Sequence, residues 1–371
     1  MKQKIFLVLV ITIIILCFTA CGDEGPDPVA FDPTPTATPV PKEVAEREEL
    51  DKDAKELGKI FVEGQTVKTW TVDDTACVKY EDIFSIDGIE RSQKASAWDT
   101  DYDGLYIKLS DLEDDFNLGK LSDTQNGRDY YCISASKWSP ARNLKIPVIY
   151  YYGLKDEDNY YSSNYIAIED LEEQLSYIAD YGFNTMWFED LRYVVDTEDS
   201  LIIAFDEADA DIYSEVFPIA SRYNIKFTVF TASALIGTED KLTETEIEEM
   251  SDSGLVSFQI RPENDIVLGQ HSESTQKSEI QNSILAITRI TKKIPIAIAF
   301  PGGTATDTTE KIAASYVKFG VVGASSSGKA YDTSKSSMGI KGIPASRYTD
   351  IDEFSTAISE SYIEEQSYSY Y

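Results

Sequence analysis

The stretch Leu201–Thr231, LIIAFDEADADIYSEVFPIASRYNIKFTVFT, constrains the fold more than any other part of the chain. An apolar run, Leu201–Phe205, ends in the acidic pair Asp206-Glu207. Ile212, Val216, Ile219 and Tyr223 follow at three- and four-residue steps, the spacing of one helix face. A β-branched and aromatic run, Ile225–Thr231, comes next. Strand, helix, strand with short joints is a βαβ unit, and such a unit implies a parallel sheet. In parallel α/β folds, polar side chains just past a strand's carboxyl end stand where ligands bind. Asp206 and Glu207 are therefore the first candidates for chemistry. An acidic pair opening a helix also has a purely structural use, because it favours the positive end of the helix dipole.

The same alternation runs on both sides of this unit. Ile146–Tyr152 (IPVIYYY) reads as a strand, followed by a helix with Ile168, Leu171, Leu175 and Ile178 on one face and Gly182 as its stop. Strand Asn184–Phe188 precedes the central unit. After it come helix Glu244–Ser253, strand Leu255–Ile260, helix Thr275–Lys293, strand Pro295–Phe300, helix Asp307–Lys318, strand Val321–Ser325 and a short strand near Ile340–Ile343. Six or seven such units in about 210 residues fit an α/β barrel, closed or incomplete. An open doubly wound sheet would carry a glycine-rich phosphate loop after its first strand, and Tyr152-Gly153-Leu154-Lys155 is not one.

The amino-terminal part reads differently. Residues 1–20 have a basic start (MKQK), an apolar Ile5–Phe18 and small residues before Cys21, the order of a cleaved signal. Residues 21–42, rich in Pro, Thr and Asp, cannot build a core and read as an extended tether. Residues 43–140 read as a small β-rich module. Within it Glu43–Lys59 is charged and helix-prone, while Phe61–Val72, Ala76–Phe84 and Gly104–Leu109 alternate as strands. The DTDYDG turn has calcium-loop residues but lacks the glutamate at the spacing an EF-hand needs. Residues 141–358 hold the α/β pattern, and 359–371 form a polar, tyrosine-rich tail expected to be mobile. A formal charge of -32 argues against nucleic acid and anionic lipid surfaces as partners. The single histidine, His271, excludes any site that needs two imidazoles. In an oxidising compartment Cys77 and Cys132 are expected to form a disulfide, with a pair of buried thiols as the alternative.

Several segments carry a resemblance to known families. The order MKQK, Ile5–Phe18, Phe18-Thr19-Ala20-Cys21 resembles a bacterial lipoprotein signal, with Cys21 as the acylated residue. The resemblance implies a chain anchored by lipid at the extracytoplasmic face of the bacterial cell membrane. Ile146–Phe354 resembles the polysaccharide deacetylase (NodB-homology) domain of carbohydrate esterases. IPVIYYY is similar to that family's first strand, LIIAFDEADADIYSEVFPIASRYNIKFTVF to its T-F-D-D-G motif with the helix and strand behind it, SDSGLVSFQIRPEND to the segment ending in H-T-x-x-H, and IAIAFPGG to F-A-Y-P-x-G. The resemblance implies a distorted parallel (β/α) barrel preceded by a small β-rich domain. It also implies an N-acetylated glycan of the cell wall or surface as partner, and a divalent metal as the family's cofactor.

The departures fall on the chemistry. Asp206 takes the position of the family's base and Glu207 that of the metal carboxylate. The two metal histidines fall on Arg261 and Asp265, the first-strand histidine falls on Tyr152, and no histidine matches the late imidazole acid. A guanidinium has no lone pair to give a metal and stays charged. Arg261 is therefore expected to replace the ion and to pair with Asp206 or Glu207. Tyr152, Glu207, Arg261, Asp265, Phe300, Pro301, Gly302 and Gly303 are the expected groove, with Tyr151, Tyr152, Trp187 and Phe300 as aromatic surfaces for sugar rings. Two functions follow: a glycan-binding protein without catalysis and without a metal, or a hydrolase rebuilt around Asp206, Glu207, Asp265 and Glu263 with an oxygen-seeking divalent ion.

Overall fold

The fold is that of a computed structural model, which describes residues 54–72, 74–86, 106–115, 118–133, 144–154, 164–192, 199–324, 330–332, 336–346 and 349–361. The expected leader, Cys21, the tether, the DTDYDG turn and the tail beyond residue 361 lie outside the described residues.

The amino-terminal module is a six-stranded sheet of β1 (Lys55–Val62), β2 (Gln65–Val72), β3 (Thr75–Lys79), β4 (Tyr106–Lys108), β5 (Leu118–Asp123) and β6 (Arg128–Ile133), in the order β4-β3-β2-β1-β6-β5. The helix-prone reading of Glu43–Lys59 is corrected at Lys55–Lys59, residues 43–53 lying outside the described residues, and so is the single strand over Phe61–Val72. Strand β1 begins at Lys55, and the chain reverses at Glu63 (φ 47°) and Gly64 (φ 83°) into an antiparallel hairpin with β2. Two left-handed residues in a row suit the right-handed twist of a hairpin. The outer half of β1 is exposed and only Ile60, Phe61 and Val62 are buried, which is why its charged start looked helical.

The expected disulfide is also corrected. Cys77 pairs across to Trp70 on β2, and Cys132 to Gly119 on β5. Strands β2 and β1 lie between β3 and β6, so the two cysteines are about three strand spacings, or about 14 Å, apart. A disulfide tolerates Cα atoms no further apart than about 7 Å. Both are buried thiols, and burial pushes the Cys77 thiol up to about 11.

The rest forms the barrel. Strand β7 (Lys145–Ile146) pairs with β15 (Tyr331–Asp332) in a separate ribbon. The main sheet comprises β8 (Val148–Tyr151), β9 (Asn184–Met186), β10 (Ser200–Phe205), β11 (Phe227–Thr231), β12 (Val256–Ile260), β13 (Ala297–Ala299), β14 (Phe319–Ala324) and β16 (Met338–Ala345). Seven of these, all but β9, close into a parallel ring through β16–β8 and β10–β11. Strand β9 joins β10 only at its start, Ser200–Ile202, whereas β11 joins it only at Ala204–Phe205.

Period-two alternation sorts the side chains. Val148, Tyr150, Ile202, Ala204, Phe230, Ala297, Phe319 and Val321 fill the barrel interior. Ile149, Tyr151, Ile203, Phe205, Val229, Phe258 and Ile298 face outward beneath the helices. These helices are α1 (Ile168–Asp180), α2 (Phe217–Tyr223), α3 (Glu244–Asp252), α4 (Glu273–Thr291), α5 (Asp307–Ala313) and α6 (Ile351–Ser361). Thr243 and Glu246 form a reciprocal capping box that fixes the start of α3. The small sheet is fastened to the barrel at α4. Arg289 donates from Nε (2.7 Å) and Nη2 (2.8 Å) to the two oxygens of Asp123, whose side chain is fully buried.

Candidate functional site at the carboxyl-terminal rim

Parallel pairing brings the ends of β8, β10 and β12 to one rim of the barrel. Alternation then decides which side chains face the centre. Asp206 continues the inward row Ile202, Ala204, and Arg261 continues Ser257, Gln259. Arg261 is 4% exposed. Its Nη1 donates to the Asp206 backbone oxygen (3.1 Å) and to Asp206 Oδ1, and its Nε donates to Asp265 Oδ1 at 2.6 Å. Asp265 adopts a left-handed backbone (φ 56°), and its carboxylate meets the residue four positions earlier. Tyr150, fully buried on β8, donates its hydroxyl to Asp206 Oδ1.

Glu207 does not join this pair. It binds Lys241 Nζ at 2.5 Å, and Lys241 also holds Asp209. Backbone bonds from Leu242 N to Ala208 O (3.0 Å) and from Ala210 N to Asp240 O (3.0 Å) tie the acidic run to the segment before α3. Two cations thus alternate with four carboxylates. Glu207, Ala208, Thr231, Leu235, Lys241 and Arg261 are among the walls of a narrow cleft that opens to solvent.

Titration follows from burial and these partners. Burial raises the Asp206 carboxyl above its ordinary value, opposed by the Arg261 charge and the Tyr150 bond. Burial and the Asp206 charge hold Tyr150 well above the usual phenol range. Burial alone would lower Lys241, but its bonds to Asp209 and Glu207 outweigh that and leave it raised. Asp211 is pushed up to about 6, by burial first and by the Asp209 charge second, and its Oδ1 is buried without a hydrogen-bond partner. A carboxyl raised in the folded state stabilises below its unfolded value of about 4, and that contribution is lost as pH rises through about 6. Asp211→Asn keeps the uncharged form at every pH. It is expected to raise stability at pH 8 by about 1–2 kcal/mol and to flatten the dependence between pH 4 and 7, as read from urea unfolding at a series of pH values.

Asp206, Glu207, Arg261 and Asp265 therefore do gather at the rim, and Arg261 pairs with Asp206 rather than Glu207. Tyr152 stands beside them, edge-on to Tyr150 at 5.4 Å, and its hydroxyl accepts from Ala324 N at 3.0 Å. Other expectations are corrected. Phe300 is 3% exposed and packs in the outward core, where a Cβ on Gly320 would touch its ring at 2.7 Å. Pro301 is buried too, so only Gly302 and Gly303, both left-handed, reach the surface there. Tyr151 is buried under α1, donating to Gln174 Oε1 at 2.8 Å. Trp187 lies at the opposite end of the barrel, donating to Leu255 O just before β12. Glu263 turns to Asn282 on α4 at 2.8 Å, and His271 is exposed. Sequence reasoning missed Lys241 and Tyr150. Tyr150 shares its face with Tyr152 at a spacing of two, a signal that was readable. Lys241 meets Glu207 across 34 residues, and no local pattern marks it.

The donor set does not fit a divalent ion. Among the described residues, no three His, Cys, Asp or Glu side chains converge to hold one. Asp206, Glu207 and Asp265 are each bonded to a side-chain cation, and Arg261 has no lone pair to offer.

Residues 194–317 match the polysaccharide deacetylase family. A poly-β-1,6-N-acetyl-D-glucosamine N-deacetylase of Staphylococcus aureus (strain MSSA476) is 25% identical over 176 residues, which are 43% of this chain and 60% of that protein. The YxkH protein of Bacillus subtilis (strain 168) is 23% identical over 176 residues, 46% of this chain and 61% of the other. The chain thus spans about 60% of the length of these curated relatives. Among solved structures, the Streptococcus pyogenes deacetylase PplD, in complex with acetate, superposes with a TM-score of 0.53 at 22% identity, covering 58% of this chain and 99% of that one. The Bacillus cereus polysaccharide deacetylase BC0361 gives 0.51 at 20% identity, covering 58% and 69%. These structural likenesses bear on the fold. With the match of residues 194–317 to the family model, they show that the closed seven-strand barrel has the fold of the NodB-type polysaccharide deacetylases.

Proposed function

We propose that this domain binds an N-acetylated cell-wall or surface glycan without hydrolysing it, at the extracytoplasmic face of a bacterial membrane, anchored through lipid on Cys21. The observation that carries the reading is the Arg261 guanidinium between Asp206 and Asp265. Metal-assisted deacetylation needs a Lewis acid that polarises the amide carbonyl and activates water. A fixed cation bonded to both carboxylates neutralises them but cannot activate a water. The family's imidazole acid has no counterpart either, a loss worth typically 10²–10⁴-fold by itself. The glycan class is supported by the family match and by the substrate in the name of the Staphylococcus relative.

Calorimetry of the soluble chain from Lys42 onward is the test. Zn²⁺, Mn²⁺ and Ca²⁺ are expected to bind no tighter than about 100 μM. Arg261→His combined with Asp265→His, which rebuilds an imidazole set, is expected to bring zinc binding to about micromolar or tighter. Stoichiometric micromolar binding by the native chain, abolished by Asp206→Asn with Glu207→Gln, would instead support the rebuilt carboxylate hydrolase.

A further inference from the structure

The molecule has a second cavity, at the end of the barrel opposite the rim. It encloses about 180 Å³ and opens to solvent at its mouth. The hairpin tip of the small sheet closes one side with Glu63 and Gln65, and the barrel floor supplies Trp187, Glu189, Asp190 and Lys293. Ile86, Ile294 and Ile296 add an apolar wall.

The polar groups here are held in place. Glu189 Oε1 accepts from Ser257 Oγ at 2.8 Å and from Gln259 Nε2 at 2.6 Å. Gln259 is itself fixed, because its Oε1 accepts from the backbone of Ile296 (2.8 Å) and Ala297 (2.7 Å). Asp190 accepts from Trp187 N at 2.9 Å and from Lys226 Nζ at 3.0 Å. The Lys226 and Lys293 ammonium groups lie 4.5 and 5.4 Å from the Trp187 ring centre. The hairpin fits closely against this floor: a Cβ on Gly64 would come within 2.8 Å of Lys293 Cγ.

These residues select a ligand by chemistry. Glu63, Glu189 and Asp190 repel an anion, and Lys226 and Lys293 repel a cation. A neutral molecule dense in hydroxyl and amide groups can use both signs, donating to the carboxylates and accepting from Lys293 and Gln65. The indole and isoleucine surfaces take its apolar ring faces. We propose that this floor cavity is a second ligand site, taking a neutral oligosaccharide with one sugar unit seated inside and its neighbours in the open mouth. It uses none of the rim residues, so it stands or falls apart from the function proposed for the rim.

The test titrates an N-acetylglucosamine trisaccharide into the soluble chain and follows the indole N–H signal of Trp187 by NMR. A saturable shift is expected. Gln65→Ala, at an exposed position, and Lys293→Met are each expected to weaken it by about tenfold while the rest of the spectrum stays native. Tyr152→Ala at the rim is expected to leave it unchanged. No shift up to about 50 mM trisaccharide, far weaker than a built sugar site, overturns the proposal. So does a shift lost with Tyr152→Ala and kept with Gln65→Ala. A Trp187 shift in a protein whose rim residues show no response would retain the floor site and remove the rim reading.

Discussion

Arg261→Ala is expected to lower the unfolding free energy by about 3–5 kcal/mol, the usual cost of removing one partner from a buried charge pair. The side chain is 5% exposed, and its loss strands Asp206 and Asp265 together at the strand ends. Water reaches Asp206 poorly, since only 16% of its side chain is exposed. Burial already raises its carboxyl, and the lowering influence of Arg261 would be gone. The variant should therefore regain stability as pH falls and Asp206 takes a proton, and lose it again as pH rises. Arg261→Lys should fall between, because an ammonium keeps the charge but cannot reach Asp206 and Asp265 with separate nitrogens of one rigid fork. Urea unfolding of the three proteins at pH 5 and pH 8 measures both effects. An alanine variant as stable as the parent would mean that the pair is not what organises the rim.

The second large effect is expected at the fastening between the two sheets. Asp123→Ala should cost roughly 2–3 kcal/mol, because it removes a two-bond carboxylate–guanidinium contact at a fully buried carboxylate. The Arg289 bond, backed by the Gln125 and Asn126 amides, holds the Asp123 carboxyl below the usual carboxylate range. A depressed carboxyl stabilises above its unfolded value of about 4, and this is lost as pH falls through the folded value. The parent should therefore lose stability on acidification below pH 4 more steeply than Asp123→Ala, so the two curves converge in acid. Thermal unfolding between pH 2.5 and pH 7 gives the comparison; parallel curves would assign the fastening to packing alone.

The barrel was legible because its signals are local. Strand ends, helix faces and glycine stops repeat at fixed intervals from Ile146 onward, and Asp206, Arg261 and Asp265 met as their positions implied. What stayed hidden depends on partners far along the chain. The Phe300 aromatic looked like a groove residue until outward alternation put it against Gly320. Cys77 and Cys132 looked paired from their compartment, but sheet order separates them, and sheet order has no local signature. The Glu63-Gly64 reversal lacks the asparagine or aspartate that usually announces a two-residue hairpin.

The way β10 changes neighbours has a mechanical consequence. Its first half is bonded to β9 and its last two residues to β11, so this seam has few rungs on either side. Below the β11 junction, Lys226 N relies on the Thr185 hydroxyl and Phe227 N on the Leu255 carbonyl. A cylinder under strain parts where its rungs are fewest, so this seam, together with the β12–β13 junction and its single pair Ile260–Ile298, is where the barrel would begin to unzip. The cross-strand bonds of Thr185 and the Trp187 indole act there as stitches that keep a short-runged wall shut.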